Sequence, residues 1–426
     1  MSAHRVAVVG SGPSGLYTVA ALLASGGPLH VDVIDRLPTP YGLVRYGVAP
    51  DHAKMKAVTR VLAKPFAKDR VRFLGNVEVG RDVSHADLAE HYDAVVYASG
   101  TEHDRRLGIP GEELPGCVGS AEFVRWYNGH PDAREFTLGT EQVAVVGAGN
   151  VALDVARVLG RTADEMRDTD VPARVLEELG RSAVREIHVL IRRTPTDAKF
   201  TPAELFQLSE LADADVIIHD GGAAIADPDT ADDRRVRLNL ETFQTFANTP
   251  PQGRTRRIHL RFLTSPVEVL GDDAVEGIVV AHNRSGHRQT LPVGLVVSAV
   301  GFRGTPLPGL PFDEGSGTVP NEAGRVAPGV YVAGWLKRGP SGIIGTNKPD
   351  GAETAAAVLA DLAGHPVAEP PDLLDMLANR GAVPVDWAGW LRLEEHEATL
   401  GGADGRGRVK VHDLASMLRH AAPVAV

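Results

Sequence analysis

Cysteine is nearly missing from this chain of 426 residues, in which Cys117 stands alone. A single thiol cannot build a disulfide, a dithiol relay, a zinc finger or a protein-held iron–sulfur cluster, so all four are excluded as intrachain features. Long apolar runs are missing too, with none near the roughly 18 residues that a membrane-spanning helix needs. No apolar signal core precedes the first strand at Arg5, so neither export nor membrane insertion is expected. The cytoplasm is the expected compartment. Positive charge is in deficit: 44 Lys and Arg against 55 Asp and Glu leave −11. That balance argues against a nucleic-acid binder and makes any basic docking surface local.

Glycine, by contrast, is plentiful, and two of its clusters have the same form. The first is Val8-Val9-Gly10-Ser11-Gly12-Pro13-Ser14-Gly15, and the apolar strand that follows, Val31-Asp32-Val33-Ile34, ends in Asp35. The second is Val145-Val146-Gly147-Ala148-Gly149-Asn150-Val151-Ala152, and the later strand His188-Val189-Leu190-Ile191 runs into Arg192 and Arg193. In the first turn Gly10 permits the bend, Gly12 lets backbone N–H groups approach a pyrophosphate, and Gly15 lets the helix pack against the strand. The phosphate then meets the positive end of the helix dipole. In the second turn Ala152 replaces the third glycine and still permits close packing. An acid after the first turn suits a free ribose diol, whereas two guanidinium groups suit a 2'-phosphate. The pair could also be a solvated surface feature. Two different dinucleotides on one chain, a flavin and NADP, are the natural pair.

Residues 5–9, 12–24 and 30–34 read as strand, helix and strand. The apolar stretch 92–100 and the similar 295–301, each closed by a glycine, mark crossings between domains. The expected fold class is therefore α/β, with two Rossmann-like, three-layer nucleotide-binding domains, the NADP domain inserted into a discontinuous FAD domain. Residues 1–100 and 311–426 would form the FAD domain, with a helical cover over its last 45 or so residues, and 101–310 the NADP domain. Residues 220–258 are polar and charged and read as a solvated excursion. No metal site is expected.

Three motifs make the resemblance specific. They are Pro38-Thr39-Pro40-Tyr41-Gly42-Leu43-Val44-Arg45-Tyr46-Gly47-Val48-Ala49-Pro50-Asp51-His52, the helix Gly147 to Arg157, and Gly334-Trp335-Leu336-Lys337-Arg338-Gly339-Pro340-Ser341-Gly342-Ile343-Ile344-Gly345-Thr346-Asn347. Together they resemble the ferredoxin–NADP reductases of the adrenodoxin reductase type. The resemblance implies hydride transfer from NADPH to FAD and single-electron delivery to a ferredoxin or similar acidic iron–sulfur protein. It implies FAD contacts at Ser14, Gly15, Asp35, Leu43, Val79 and Trp335 and at the backbone of Gly342, Ile343 and Ile344. NADP contacts are implied at Ala148, Gly149, Asn150, Val151, Arg192, Arg193, Glu204 and the Gly342 backbone. His52 and Asp154 match catalytic positions near the nicotinamide and flavin. The proton role of His52 stays open, and Asp154 could equally pair with an arginine.

Trp335 would give the flavin a flat wall bearing an N–H, and backbone donors from Gly342 to Thr346, at a helix start, would face charge that develops on the reduced ring. One departure stands out: where the family reads Leu-Arg-Glu after its Phe-Thr-x-x-Glu, this chain has Leu205-Phe206-Gln207. The family arginine helps dock the acidic partner, so another basic surface is expected to compensate. Arg60, Lys64 and Lys68 fall at i, i+4 and i+8 on one face if that segment is helical. A solvated helix face is the plain alternative. Two other functions fit the nucleotide turns: an electron-donating subunit resembling the small subunit of glutamate synthase, whose cysteine-rich N-terminal region this chain lacks, and a non-catalytic dinucleotide sensor.

Overall fold

Strand β1 (His4–Val9) forms because Val6, Ala7, Val8 and Val9 are buried on both sides of the pleat, the pattern of a parallel strand covered by helices. The computed structural model describes residues 3–101, 103–367 and 371–423. Helix α1 (Pro13–Ala24) opens on a proline, whose missing N–H costs nothing at a helix start. The chain returns through β2 (Leu29–Ile34), β3 (Val71–Leu74) and β4 (Ala94–Tyr97), all parallel.

By its contacts the chain divides into two compact units, 1–48 with 52–103 and 302–426, and 49–51 with 104–301. The second departs from the sequence expectation at both ends. It closes at Gly301 and not at 310, and it takes in the tripeptide 49–51 because Ala49 lies in its core.

The first unit carries a six-stranded sheet in the order Arg325–Ala327, Val330–Val332, β4, β1, β2, β3. Val330–Val332 pairs parallel to β4, so strands from beyond the insertion complete this sheet. Behind it the helix Asn347–Leu362 packs on α1. The helical cover exists as Trp387–Ala403 and Leu414–Ala421, with Trp390, Leu393 and Met417 in the core.

The second unit has its own six-stranded parallel sheet, in the order Cys117–Gly119, Leu295–Ser298, Gln142–Val146, Glu186–Leu190, Arg256–Arg261, Ala214–His219. An antiparallel sheet of Thr264–Leu270, Gly277–His282 and Arg288–Leu291 accompanies it. Each unit is thus an α/β nucleotide fold, and the second is inserted into the first.

The expected excursion at 220–258 is wrong. A helix occupies Arg234–Asn248, capped by the Asp233 carboxylate on the Arg235 and Val236 amides, and it buries Leu240, Phe243 and Phe246. The charges that suggested a loop are its cap and its solvent face, while the apolar residues recur at helical spacing.

Gly15 sets how closely α1 lies on β1. A Cβ there would come 2.0 Å from the Gly10 carbonyl oxygen and 3.2 Å from Val8. Backbone cannot yield as a flexible side chain can, so Gly15→Ala is expected to cost about 1–3 kcal/mol and to lower the content of the flavin that the sequence leads one to expect at this turn. Thermal unfolding and the flavin content of the purified protein read both effects, and a fully flavinated variant of unchanged stability would contradict them.

Candidate functional site

In the first unit the glycine turn is held from two sides. Gly10 has φ +109°, and a Cβ there would lie 2.4 Å from the Ala98 carbonyl oxygen, so only glycine lets the turn pass over the end of β4. Opposite Gly12 stands the Tyr41-Gly42 turn, tied down by the Tyr41 amide donating to the Ser11 carbonyl at 3.0 Å. A Cβ on Gly42 would fall 3.0 Å from the Gly12 Cα. The cleft wall is therefore bare backbone, which suits a pyrophosphate.

Asp35 is more heavily committed than a ribose ligand needs to be. One carboxylate oxygen accepts from the Ser11 amide at 2.9 Å and the Ser11 hydroxyl at 2.5 Å, and the other from the Leu37 amide at 3.0 Å. Burial pushes its pKa up, and these hydrogen bonds oppose the rise. Asp35 thus shapes the turn as well as standing beside it. Ser14 donates to the Asn347 side chain at 2.8 Å, and a Cβ on Gly334 would lie 2.0 Å from the Ser14 oxygen. The first and third sequence motifs therefore meet at the start of α1.

Trp335 corrects the expectation of an indole N–H turned to the flavin. Its N–H donates to the Ser341 carbonyl at 3.2 Å, while the ring stacks on Phe302 with centroids 5.8 Å apart. It can offer a flat face only. In the Gly342–Thr346 stretch the Ile343 amide is already taken by the Thr346 hydroxyl at 3.1 Å, so the donors at this helix start are Ile344 and Gly345. Ile343 and Leu43 are exposed and Val79 half-buried. His52 is buried at the start of the short helix Ala53–Lys56.

Over the Leu43–Tyr46 turn lies a contact that no motif announced. Arg45 forms a two-pronged ion pair with Glu397, at 3.0 and 2.5 Å, and both side chains are buried. Glu397 also accepts from the Val411 amide at 3.0 Å, and Lys410 donates to the Arg45 carbonyl at 2.9 Å. Trp390 stands 5.1 Å from the Arg45 guanidinium and edge-on to Tyr41.

In the second unit Gly147 passes so close to the Ala299 carbonyl that a Cβ would be 2.4 Å from it, whereas Gly149 faces open space. The Asn150 side chain is occupied: it donates to the Thr201 hydroxyl at 3.2 Å and accepts from the Thr201 amide at 2.9 Å. It fixes the turn to the start of the Pro202–Phe206 helix, and its backbone, with Ala148 and Val151, remains to meet a phosphate. Arg192 and Arg193 are both exposed. Their carbonyls accept from the Asn283 side chain at 2.5 Å and the Leu263 amide at 3.1 Å, and neither guanidinium has a carboxylate partner among the described residues. Their backbone is fixed and their charge is available.

Asp154 and Glu204 come together on Arg157, which is fully buried. Its guanidinium donates to Asp51 at 2.7 and 3.1 Å, to Asp154 at 2.9 Å and to Glu204 at 3.4 Å. Arg161 adds a third bond to Asp51 at 3.0 Å. The buried Tyr127 hydroxyl beside this group has its pKa raised, first by burial and then by Asp154. Asp51 and Arg157 both stood inside quoted motifs, yet nothing in their spacing linked them.

The same sheet carries three histidines in a row, His188, His259 and His219, with ring centroids 4.7 and 5.1 Å apart. Burial above all pulls them below the usual histidine value, to about 3 for His188 and about 4 for His219, and neighbouring positive charge adds to the effect. Such a group binds fewer protons folded than unfolded. Its contribution is complete above about pH 6.5 and is lost as the pH falls toward the folded values. Acidification from about pH 7 to about pH 5 is therefore expected to lower the unfolding temperature, and His188→Gln to shrink that drop. Calorimetry across this range checks it, an unchanged midpoint being the contrary result.

Among the described residues no helix is long and apolar enough to cross a membrane. Residues 4–193 match the family model described as pyridine nucleotide-disulphide oxidoreductase. The chain is 40% identical to the NADPH-ferredoxin reductase FprA of Mycobacterium tuberculosis, over 98% of its own length and 99% of that protein. It is 35% identical to the mitochondrial NADPH:adrenodoxin oxidoreductase of Arabidopsis thaliana, over 98% of this chain and 95% of the other. The solved structure of M. tuberculosis FprA in complex with NADPH superimposes with a TM-score of 0.94 at 41% identity, covering 98% of this chain and 99% of that one.

Proposed function

The chain belongs to the ferredoxin–NADP reductases of the adrenodoxin reductase type, and from that premise we propose that it is an FAD-dependent NADPH–ferredoxin reductase. FAD, when bound, accepts a hydride from NADPH and releases its two electrons singly to a small iron–sulfur protein. The glycine turn at Gly10, Gly12 and Gly15 receives the flavin pyrophosphate, Asp35 holds the turn and its ribose, and Trp335 walls the ring. The turn at Gly147, Ala148 and Gly149 receives the pyrophosphate of NADPH, and Arg192 and Arg193 bind its 2'-phosphate. Asp154, paired with Arg157, and Glu204 serve the nicotinamide end, and His52 serves the flavin.

The observation that carries this reading is the exposed, unpaired arginine pair on a pinned backbone. Cys117 supports it from the other side: burial pushes its thiol up to about 11, and without a second thiol it offers no disulfide route for electrons. The test is anaerobic NADPH titration of the purified flavoprotein, then reduction of a panel of ferredoxins read through a terminal acceptor. NADPH should bleach the flavin and the ferredoxins should be reduced. A flavin that NADPH leaves oxidised would indicate the dinucleotide sensor.

Docking is assigned to Arg60, Lys64 and Lys68, which are exposed and have no carboxylate partner among the described residues. The single helical face expected for them does not form, since Thr59–Leu62, the 3-10 turn Lys64–Ala67 and the extended Lys68 interrupt it. Arg70 and Arg72 also leave the stripe, Arg70 for the Gly27 and Leu23 carbonyls and Arg72 for Asp32 and Asp372. The remaining patch includes the exposed Met55 and Val61. Changing all three cations to Glu should weaken ferredoxin reduction roughly ten- to a hundredfold at low salt and flatten its salt dependence, while NADPH oxidation by small acceptors is unaffected. Unchanged salt dependence would remove the patch from docking.

A further inference from the structure

In the second unit a cavity of about 380 Å³ opens at the carboxyl ends of Arg256–Arg261 and Ala214–His219, where it meets the antiparallel sheet. Its wall includes Arg261, His219, His282 and His287 and contains no carboxylate. In a chain with 55 acidic residues against 44 basic ones, a cavity so lined favours anions.

Arg261 is the anchor. Its Nε donates to His188 Nδ1 at 3.2 Å, and its two terminal nitrogens have no partner among the described residues. The carboxylate that acts on it electrostatically, Glu186, is already bound by Arg257 at 2.7 Å and by His259 Nε2 at 2.6 Å. His259 donates through Nε2 to Glu186 and accepts at Nδ1 from His219 Nε2 at 2.9 Å, so the neutral His219 lines the wall without a donor to spare, whereas the His287 ring is exposed without a partner among the described residues. His282 is engaged at both nitrogens, by Ser285 at 2.8 Å and the Gly221 carbonyl at 2.9 Å, so it fixes the wall and does not donate.

A planar guanidinium fork and the partnerless His287 ring, arranged around a hollow with no carboxylate in its wall, suit the oxygens of a phosphate. The carboxyl end of a parallel sheet is also where such folds bind phosphates. We propose that this cavity is a second anion site, one that takes a small phosphate monoester and is separate from the 2'-phosphate site at Arg192 and Arg193. Arg261 makes the two-pronged contact, His287 binds a remaining oxygen, and His219 lines the wall beside it.

The test uses the flavin-loaded protein with histidines carbon-13 labelled at Cε1, titrated with inorganic phosphate at constant ionic strength. In the Arg192→Ala/Arg193→Ala protein the His219 and His287 signals should still move and saturate at millimolar phosphate. Arg261→Gln should raise the half-saturating concentration about tenfold, the loss of one charged contact, with flavin reduction by NADPH unchanged as the check on folding. His287→Gln, an exposed substitution that cannot unfold the chain, should raise it about threefold. A response lost in the double arginine variant would return the phosphate to the nucleotide site. A response that survives both Arg261→Gln and His287→Gln, or never saturates, would mean an adventitious ion only.

Discussion

Glu397→Ala is expected to lower the unfolding temperature by on the order of 10 °C and to release the flavin. Arg45 and Glu397 are both buried and face each other through two hydrogen bonds, and the alanine leaves a guanidinium with no carboxylate in a place that water does not reach. Removing one partner of a buried pair costs about 3–5 kcal/mol, and for units of this size each 1 kcal/mol moves the midpoint by about 2–4 °C. Flavin retention falls with it, because Glu397 anchors the Trp387–Ala403 helix over Leu43–Tyr46, and the adjoining Tyr41 amide pins the first glycine turn through Ser11. Glu397→Gln should fall between, since an amide still accepts from one guanidinium prong and from the Val411 amide. Calorimetry with flavin absorbance measures both effects. A flavin-loaded alanine variant that melts at the wild-type temperature would show that the cover is held by its apolar face alone.

The second large effect concerns cofactor choice. Arg192→Ala with Arg193→Ala should raise the KM for NADPH by about a hundredfold to ten-thousandfold, at about 1.5–3 kcal/mol for each charged hydrogen bond removed. The KM for NADH should change by no more than about threefold, because NADH has no 2'-phosphate for the pair to bind. The two side chains need no repacking when removed, being exposed and without carboxylate partners among the described residues, so the comparison is free of folding losses. Steady-state kinetics with both nucleotides decides the matter. Equal losses would place the 2'-phosphate elsewhere. Asp35, whose carboxylate bonds go to Ser11 and Leu37 within the first unit, should affect flavin retention and not this ratio.

Both turns were legible because local rules govern them: an apolar strand, a glycine that passes under a carbonyl, and a helix start lie within a dozen residues. Arg192 and Arg193 were legible for the same reason, as neighbours at a strand end. The helix Arg234–Asn248 was not, since a run of charge at its N-terminus hid the apolar spacing of Leu240, Phe243 and Phe246. The basic stripe failed in the opposite way: regular spacing promised one helix, but the segment breaks into Thr59–Leu62 and a 3-10 turn opening at Lys64-Pro65. Asp51 with Arg157 and Arg45 with Glu397 join residues far apart in the chain, and no periodicity encodes a partner at that distance. The composition showed only that most carboxylates could find water, not which few would be buried against arginine.

The pairing of Val330–Val332 with β4 has a consequence for biosynthesis. During translation β1, β2, β3 and β4 emerge first, yet the strand that completes their sheet is made only after the whole of 104–301. The second unit can collapse around its own sheet while the first still shows an open strand edge at β4. The helix Asn347–Leu362, which carries the Asn347 partner of Ser14, is later still. Flavin capture is thus deferred to the end of synthesis, and a released chain ending before residue 330 should bind the nicotinamide nucleotide and fail to retain the flavin.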